Sequence, residues 1–120
     1  MKFYFASRFK HRDYLRDLDK DLEKLGHKIV SSWIWMDSQK PYDKNHKKCS
    51  EISKVVENDI KNCDTFVLIS DVGGTDMFVE LGIAIAFNKK IYVVGDHNDR
   101  SLMCFHPNIE RVKSIKDIKF

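Results

Sequence analysis

At 120 residues, with 42% hydrophobic and 32% charged side chains, the chain is the size of one ordinary domain and too apolar to be disordered. A net charge of +3 is too small to mark a nucleic-acid surface, and no apolar run reaches the roughly 20 residues of a membrane helix. The longest such run, residues 77–87, carries Glu80 in its midst, and the first residues lack the apolar stretch of a signal peptide. The expectation is a single cytoplasmic domain over residues 1–120 that binds neither polymeric nucleic acid nor membrane.

Residues 2–6 are short, aromatic and apolar, which predicts a strand. Tyr14, Leu15, Leu18, Leu22 and Leu25 then recur at helical spacing within residues 11–25, and Gly26 is a natural helix terminator. Residues 27–34 are β-branched and aromatic and read as a second strand. Residues 36–48 are polar, Lys-rich and interrupted by Pro41, and read as a long solvated loop. Ile52, Val55, Val56 and Ile60 mark a second amphipathic helix ending near Cys63. Asp64 opens a third strand over residues 65–70, residues 71–75 form a tight turn, and residues 76–88 a third helix. Residues 90–94 are a fourth strand and residues 108–112 a fifth, followed by a capping box at Ser114 and Asp117.

Strands alternating with helices predict a parallel sheet covered on both faces, an α/β flavodoxin- or Rossmann-like three-layer sandwich. The expected strand order is 2-1-3-4-5. Ligand then binds where strands 1 and 3 diverge, with Ser7 and Arg8 facing Ser70, Gly73, Gly74 and Thr75. Three cysteines without a CxxC pair predict free thiols, and His46 with Cys49 lacks the further ligands a zinc site needs. No metal and no cofactor is expected.

Glu80 is the sharpest chemical signal. A lone carboxylate on a helix apolar nearly all round must be paired, hydrogen-bonded or turned to a pocket. Asp76 precedes it by one helical turn on the same face, and either it or Thr75 is placed to cap that helix. Two carboxylates one turn apart at a cleft can act as nucleophile and proton handler at a glycosidic carbon. Equally, Glu80 can be a structural acid and Asp76 a plain cap. Tyr4, Trp33 and Trp35 near the strand ends can stack on a base or pack in the core; as strand residues of one parity, the two tryptophans would share a face. Arg8 is a candidate phosphate partner.

On these residues the chain resembles the nucleoside 2-deoxyribosyltransferase superfamily, which includes the deoxynucleoside 5′-monophosphate N-glycosidases. The likeness covers most of the chain. It rests on Phe3-Tyr4-Phe5-Ala6-Ser7, on Asp64, and on Gly74-Thr75 through Glu80-Leu81-Gly82 to Ala86-Phe87-Asn88-Lys89-Lys90. The resemblance implies that Glu80 attacks the anomeric carbon and that Tyr4 and Ser7, with Arg8, surround the sugar and phosphate. It also implies a homodimer or larger assembly whose 96–107 loop completes a neighbour's site; the apolar excess of the third helix independently suggests a second subunit. Two positions depart from the family pattern. Val56 and Gly74 stand where the resemblance would place acids, or, in the hydrolases, a serine at the latter. Cleavage or transfer at the N-glycosidic bond of a small-molecule nucleoside or nucleotide is therefore expected, with Glu80 and Asp76 as catalytic residues. Tyr4, Ser7, Arg8, Trp33, Ser70, Gly73, Gly74 and Thr75 form the expected binding set. A non-catalytic nucleotide-binding module and an NAD glycohydrolase-like activity are the alternatives.

Overall fold

The computed structural model describes residues 1–120. Five parallel strands, β1 (Lys2–Ala6), β2 (Lys28–Ile29), β3 (Thr65–Ile69), β4 (Lys90–Val94) and β5 (Ile109–Val112), form one sheet in the order 2-1-3-4-5. This is the architecture and order expected from the alternating pattern. β1 pairs with β3 from Phe3 opposite Thr65 to Ala6 opposite Leu68, and β3 with β4 from Thr65 opposite Lys90 to Ile69 opposite Val94.

The period of two along each strand divides the core into two layers. Tyr4, Ala6, Phe66, Leu68, Ile91 and Val93 pack against Ile60 of α2 (His46–Asn62) and Met77, Leu81 and Ala84 of α3 (Asp76–Ala86). Phe3, Phe5, Val67, Tyr92 and Val94 face the other way, onto Leu15 and Leu22 of α1 (Arg12–Glu23). α1 is entered through a 3-10 turn at Phe9–His11 and closed at Gly26, whose φ of 81° suits a residue without a side chain. α3 stops at Ala86, short of the expected Asn88. Asn88 adopts a left-handed φ of 57°, and the Lys89 amide closes back on the Ala84 carbonyl at 3.0 Å. The capping box at Ser114 and Asp117 is present, on the 3-10 turn Ile115–Asp117. No helix is long and apolar enough to cross a membrane.

The second strand is the main departure. Only Lys28–Ile29 pairs, whereas residues 27–34 read as strand. The buried Asp19 carboxylate accepts the Ile29 amide at 2.8 Å and the Lys28 ammonium at 3.1 Å, fixing the strand's start. Two residues on, the buried Ser31 hydroxyl accepts the Phe5 amide at 2.7 Å and donates to the Phe5 carbonyl at 3.1 Å. One side chain thereby takes both backbone groups that a longer β2 would have needed, and the chain turns into a 3-10 helix at Ser32–Trp35. Trp33 and Trp35 consequently share no strand face. Trp33 is half-buried, while Trp35 is exposed with the Arg16 guanidinium 5.2 Å over its ring.

Candidate active site

The switch point lies where the chain leaves β1 and β3, and two turns meet there. Arg8 lies across the glycine pair: a Cβ on Gly73 would meet its guanidinium at 3.4 Å, and one on Gly74 would meet its Cγ at 3.3 Å and Met77 Cε at 3.2 Å. Gly74 also has a φ of 90°, so both its backbone conformation and the closeness of Arg8 call for glycine. Asp71 ties the turns together, with Lys10 Nζ at 3.4 Å and His11 Nε2 at 3.8 Å. The Val72 amide, donating to Asp71 Oδ1 at 2.7 Å, holds that carboxyl below the usual range, aided by Lys10. The backbone amides of Gly73, Gly74, Thr75, Asp76 and Met77 have no hydrogen-bond acceptor. Those of Asp76 and Met77 are donors left over in the first turn of α3, a helix end that favours an anion.

Tyr4 and Glu80 form the centre of the site. β1 directs the fully buried Tyr4 into the α2/α3 layer, where its ring stacks on Phe66 with centroids 5.5 Å apart and planes 8° from parallel. From there the phenol donates to Glu80 Oε1. Glu80 is on the second turn of α3, half-buried, and its carboxyl is pushed up to about 7. Burial is the main cause; the Asp76 carboxylate adds to the rise and the Tyr4 hydrogen bond opposes it. The Tyr4 phenol is in turn raised well above its ordinary value by burial and by Glu80. Every buried side-chain polar atom of the protein has a hydrogen-bond partner, and Glu80 Oε2 has none, so that oxygen reaches solvent. Glu80 thus has one oxygen fixed by Tyr4 and one available to a ligand.

Asp76 is exposed one turn before Glu80. Its side chain does not cap α3, and neither does that of Thr75; Asp76 Oδ2 instead accepts a hydrogen bond from Tyr42 Oη at 2.7 Å. Tyr42 is in the 3-10 turn Tyr42–Lys44 of the Lys-rich loop, and sequence reasoning missed it. A tyrosine among lysines, next to a proline, carries no periodicity that would mark it for a contact across 34 residues. Of the remaining expected residues, Ser7 and Arg8 are at the rim, with the Ser7 hydroxyl donating to the Arg8 carbonyl at 3.0 Å. Trp33 is braced beside β1 by its indole N–H, which donates to the Phe5 carbonyl at 2.9 Å. Ser70 is buried with its hydroxyl donating to the His97 carbonyl at 2.6 Å, so it anchors the loop after β4 and has no donor left for a ligand. Asp59 on α2 accepts the Ser32 amide at 3.0 Å, and its charge contributes to the rise on Tyr4. No group of three or more His, Cys, Asp or Glu side chains is gathered in the geometry of a metal site.

No family model matches the sequence, and no curated protein matches it. Solved structures do match. The CMP N-glycosidase BcmB of Clostridium botulinum superposes with a TM-score of 0.64 at 21% identity, over 96% of this chain and 90% of that one. The strand order, the helix layers and this superposition agree: the chain shares the fold of BcmB, a five-stranded parallel sheet in the order 2-1-3-4-5 between layers of helices.

Proposed function

We propose that this protein cleaves or transfers at the N-glycosidic bond of a (deoxy)nucleoside or its 5′-monophosphate, with Glu80 as nucleophile. The observation that carries this reading is the Tyr4–Glu80 pair at the switch point, one carboxylate oxygen held and the other free. In this reading Glu80 Oε2 attacks the anomeric carbon as the bond to the base nitrogen breaks. The bonding pair leaves with the base, which takes up a proton, and a glycosyl ester remains on Glu80. Water or a second base then attacks the same carbon, the ester bond breaks, and Glu80 is released as the carboxylate. Asp76 handles protons on the solvent side. Arg8 and the free amides of Gly73, Gly74 and Thr75 receive a 5′-phosphate. That BcmB is a CMP N-glycosidase on the same fold supports the choice of bond.

The functional unit in this reading is a homodimer. Val79 is 63% exposed and Phe87 38% exposed along the outer side of α3, with Ile83 between them, and Leu102, Met103 and Phe105 protrude from the loop after β4. A monodisperse monomer in light scattering at high micromolar concentration would overturn the dimer.

The test of activity is chromatographic. Deoxynucleosides, their 5′-monophosphates, ribonucleotides and NAD are incubated with the protein and with Glu80→Ala, with and without free acceptor bases. Free base from the wild type alone supports the assignment, and equal release by the variant sinks it. Val56 and Gly74, where the resemblance would place acids, favour a second reading as a nucleotide-binding module. Tight nucleotide binding with no base released would establish that reading instead.

A further inference from the structure

We infer that Tyr42 is a positioning residue of this site, holding Asp76 with one carboxylate oxygen toward the cleft and making the 36–45 loop part of its wall. The inference rests on the glycosidase reading and extends it to a residue that neither the sequence pattern nor the shared fold singles out.

The geometry repeats itself along one face of α3. Tyr4 Oη donates to Glu80 Oε1, and Tyr42 Oη donates to Asp76 Oδ2 at 2.7 Å. In both pairs the second oxygen, Glu80 Oε2 or Asp76 Oδ1, has no protein partner. Residues 76 and 80 are one turn apart, so the free oxygens belong to neighbouring side chains on one helix face. The two pairs differ in burial. Tyr4 is locked inside the core, while Tyr42 is 46% exposed and must be held by its own loop.

That loop is braced. Asn45 Nδ2 donates to the Gln39 carbonyl at 3.1 Å and to the Pro41 carbonyl at 2.9 Å, and the Asn45 amide donates to the Tyr42 carbonyl at 3.1 Å. The Lys40 ammonium lies 5.8 Å over the Tyr42 ring. The Tyr42 phenol is pushed up to about 12, first by its hydrogen bond to Asp76, then by burial and by the Asp76 charge, with a small contribution from Glu80. An exposed aspartate on a helix start samples several rotamers in water. A phenol presented from a braced loop selects one of them, which matters for a group that must meet a proton at a fixed place.

The experiment is a double-mutant cycle on the full chain, with Tyr42→Phe, Asp76→Asn and the double variant, reading kcat and KM separately on whichever substrate the wild type cleaves. Tyr42→Phe should lower kcat about tenfold with KM within about twofold, since it misplaces a reacting group without removing a binding one. Asp76→Asn should lose at least as much, and adding Tyr42→Phe to it should lose nothing further. An unchanged kcat in Tyr42→Phe, or losses that multiply in the double variant, would overturn the inference while leaving the glycosidase reading in place. A wild type that releases no base would refute that reading and the catalytic role of Tyr42 with it. The pair has a readout of its own. Between pH 9 and 11 the ultraviolet phenolate signal should show one more tyrosine titrating in Asp76→Asn than in the wild type, because a freed phenol returns toward about 10; identical titrations would show that the pair does not form, and overturn the inference outright.

Discussion

Replacing Glu80 by glutamine should stabilise the protein at neutral and alkaline pH while abolishing turnover. Glutamine keeps the volume, and its carbonyl oxygen accepts the Tyr4 phenol in place of Oε1. The Glu80 carboxyl has been pushed from 4.5 to about 7. The folded state therefore holds that proton more tightly than the unfolded chain. The associated stability is fully present below the unfolded value and is lost as pH rises through the folded one. At roughly 1.4 kcal/mol per pH unit, the gap corresponds to at most about 3.5 kcal/mol above pH 7, and to less as far as the solvent-facing oxygen stays hydrated. For a chain of this length that is a rise in Tm on the order of 10 °C. The assay is a pair of thermal melts, wild type and Glu80→Gln, from pH 4 to pH 9. The other titrating groups are common to both proteins and cancel in the difference, which should start near zero and grow to a plateau above pH 7. Parallel curves from pH 5 to pH 8 would refute the account of Glu80 as a partly desolvated carboxylate.

The remaining predictions concern the same turns. The pH profile of kcat/KM should rise with pH and level off above about 7, since the proposed reaction needs Glu80 ionised. Tyr4→Phe removes a hydrogen bond that favours the anion, so this rise should move to higher pH and kcat should fall on the order of tenfold or more. Arg8→Ala should raise KM for 5′-monophosphates and leave KM for unphosphorylated nucleosides nearly unchanged, as steady-state kinetics on matched pairs will show. Gly74→Ala must place a side chain at a φ of 90° against Met77 and Arg8, and denaturant melts should register a loss of about 1–2 kcal/mol.

The sheet was legible because its signals are local and repeated. Residues 2–6 and 90–94 read as strands and are strands to the residue, and the order 2-1-3-4-5 follows from alternation and handed crossovers. Glu80 was legible for the opposite reason, as one charge in an apolar helix. What escaped was decided by contacts between residues distant in sequence. Nothing in residues 27–34 announces that the Ser31 hydroxyl will occupy the amide and carbonyl of Phe5 and end the strand after Ile29. Likewise, Asp76 at a helix start invites a capping role, and only the folded chain brings Tyr42 to claim its carboxylate. Ser70 shows the same limit: it stands at the strand end where a ligand contact was expected, but its hydroxyl is committed to His97.

The interior position of β1 bears on how this protein acquires its site. β1 lies between β2 and β3, and its Tyr4 meets a carboxylate 76 residues away on the helix that follows β3. A contact of that sequence separation forms only after the long loop between its ends has been closed. A growing chain that has released β1, α1 and β2 has a hairpin-free pair of strands with an unsatisfied edge and no trace of the Tyr4–Glu80 pair. The Tyr4–Glu80 contact should thus appear with completion of the sheet rather than before it. In the glycosidase reading, regain of base release on refolding would then time the docking of α3 against β1.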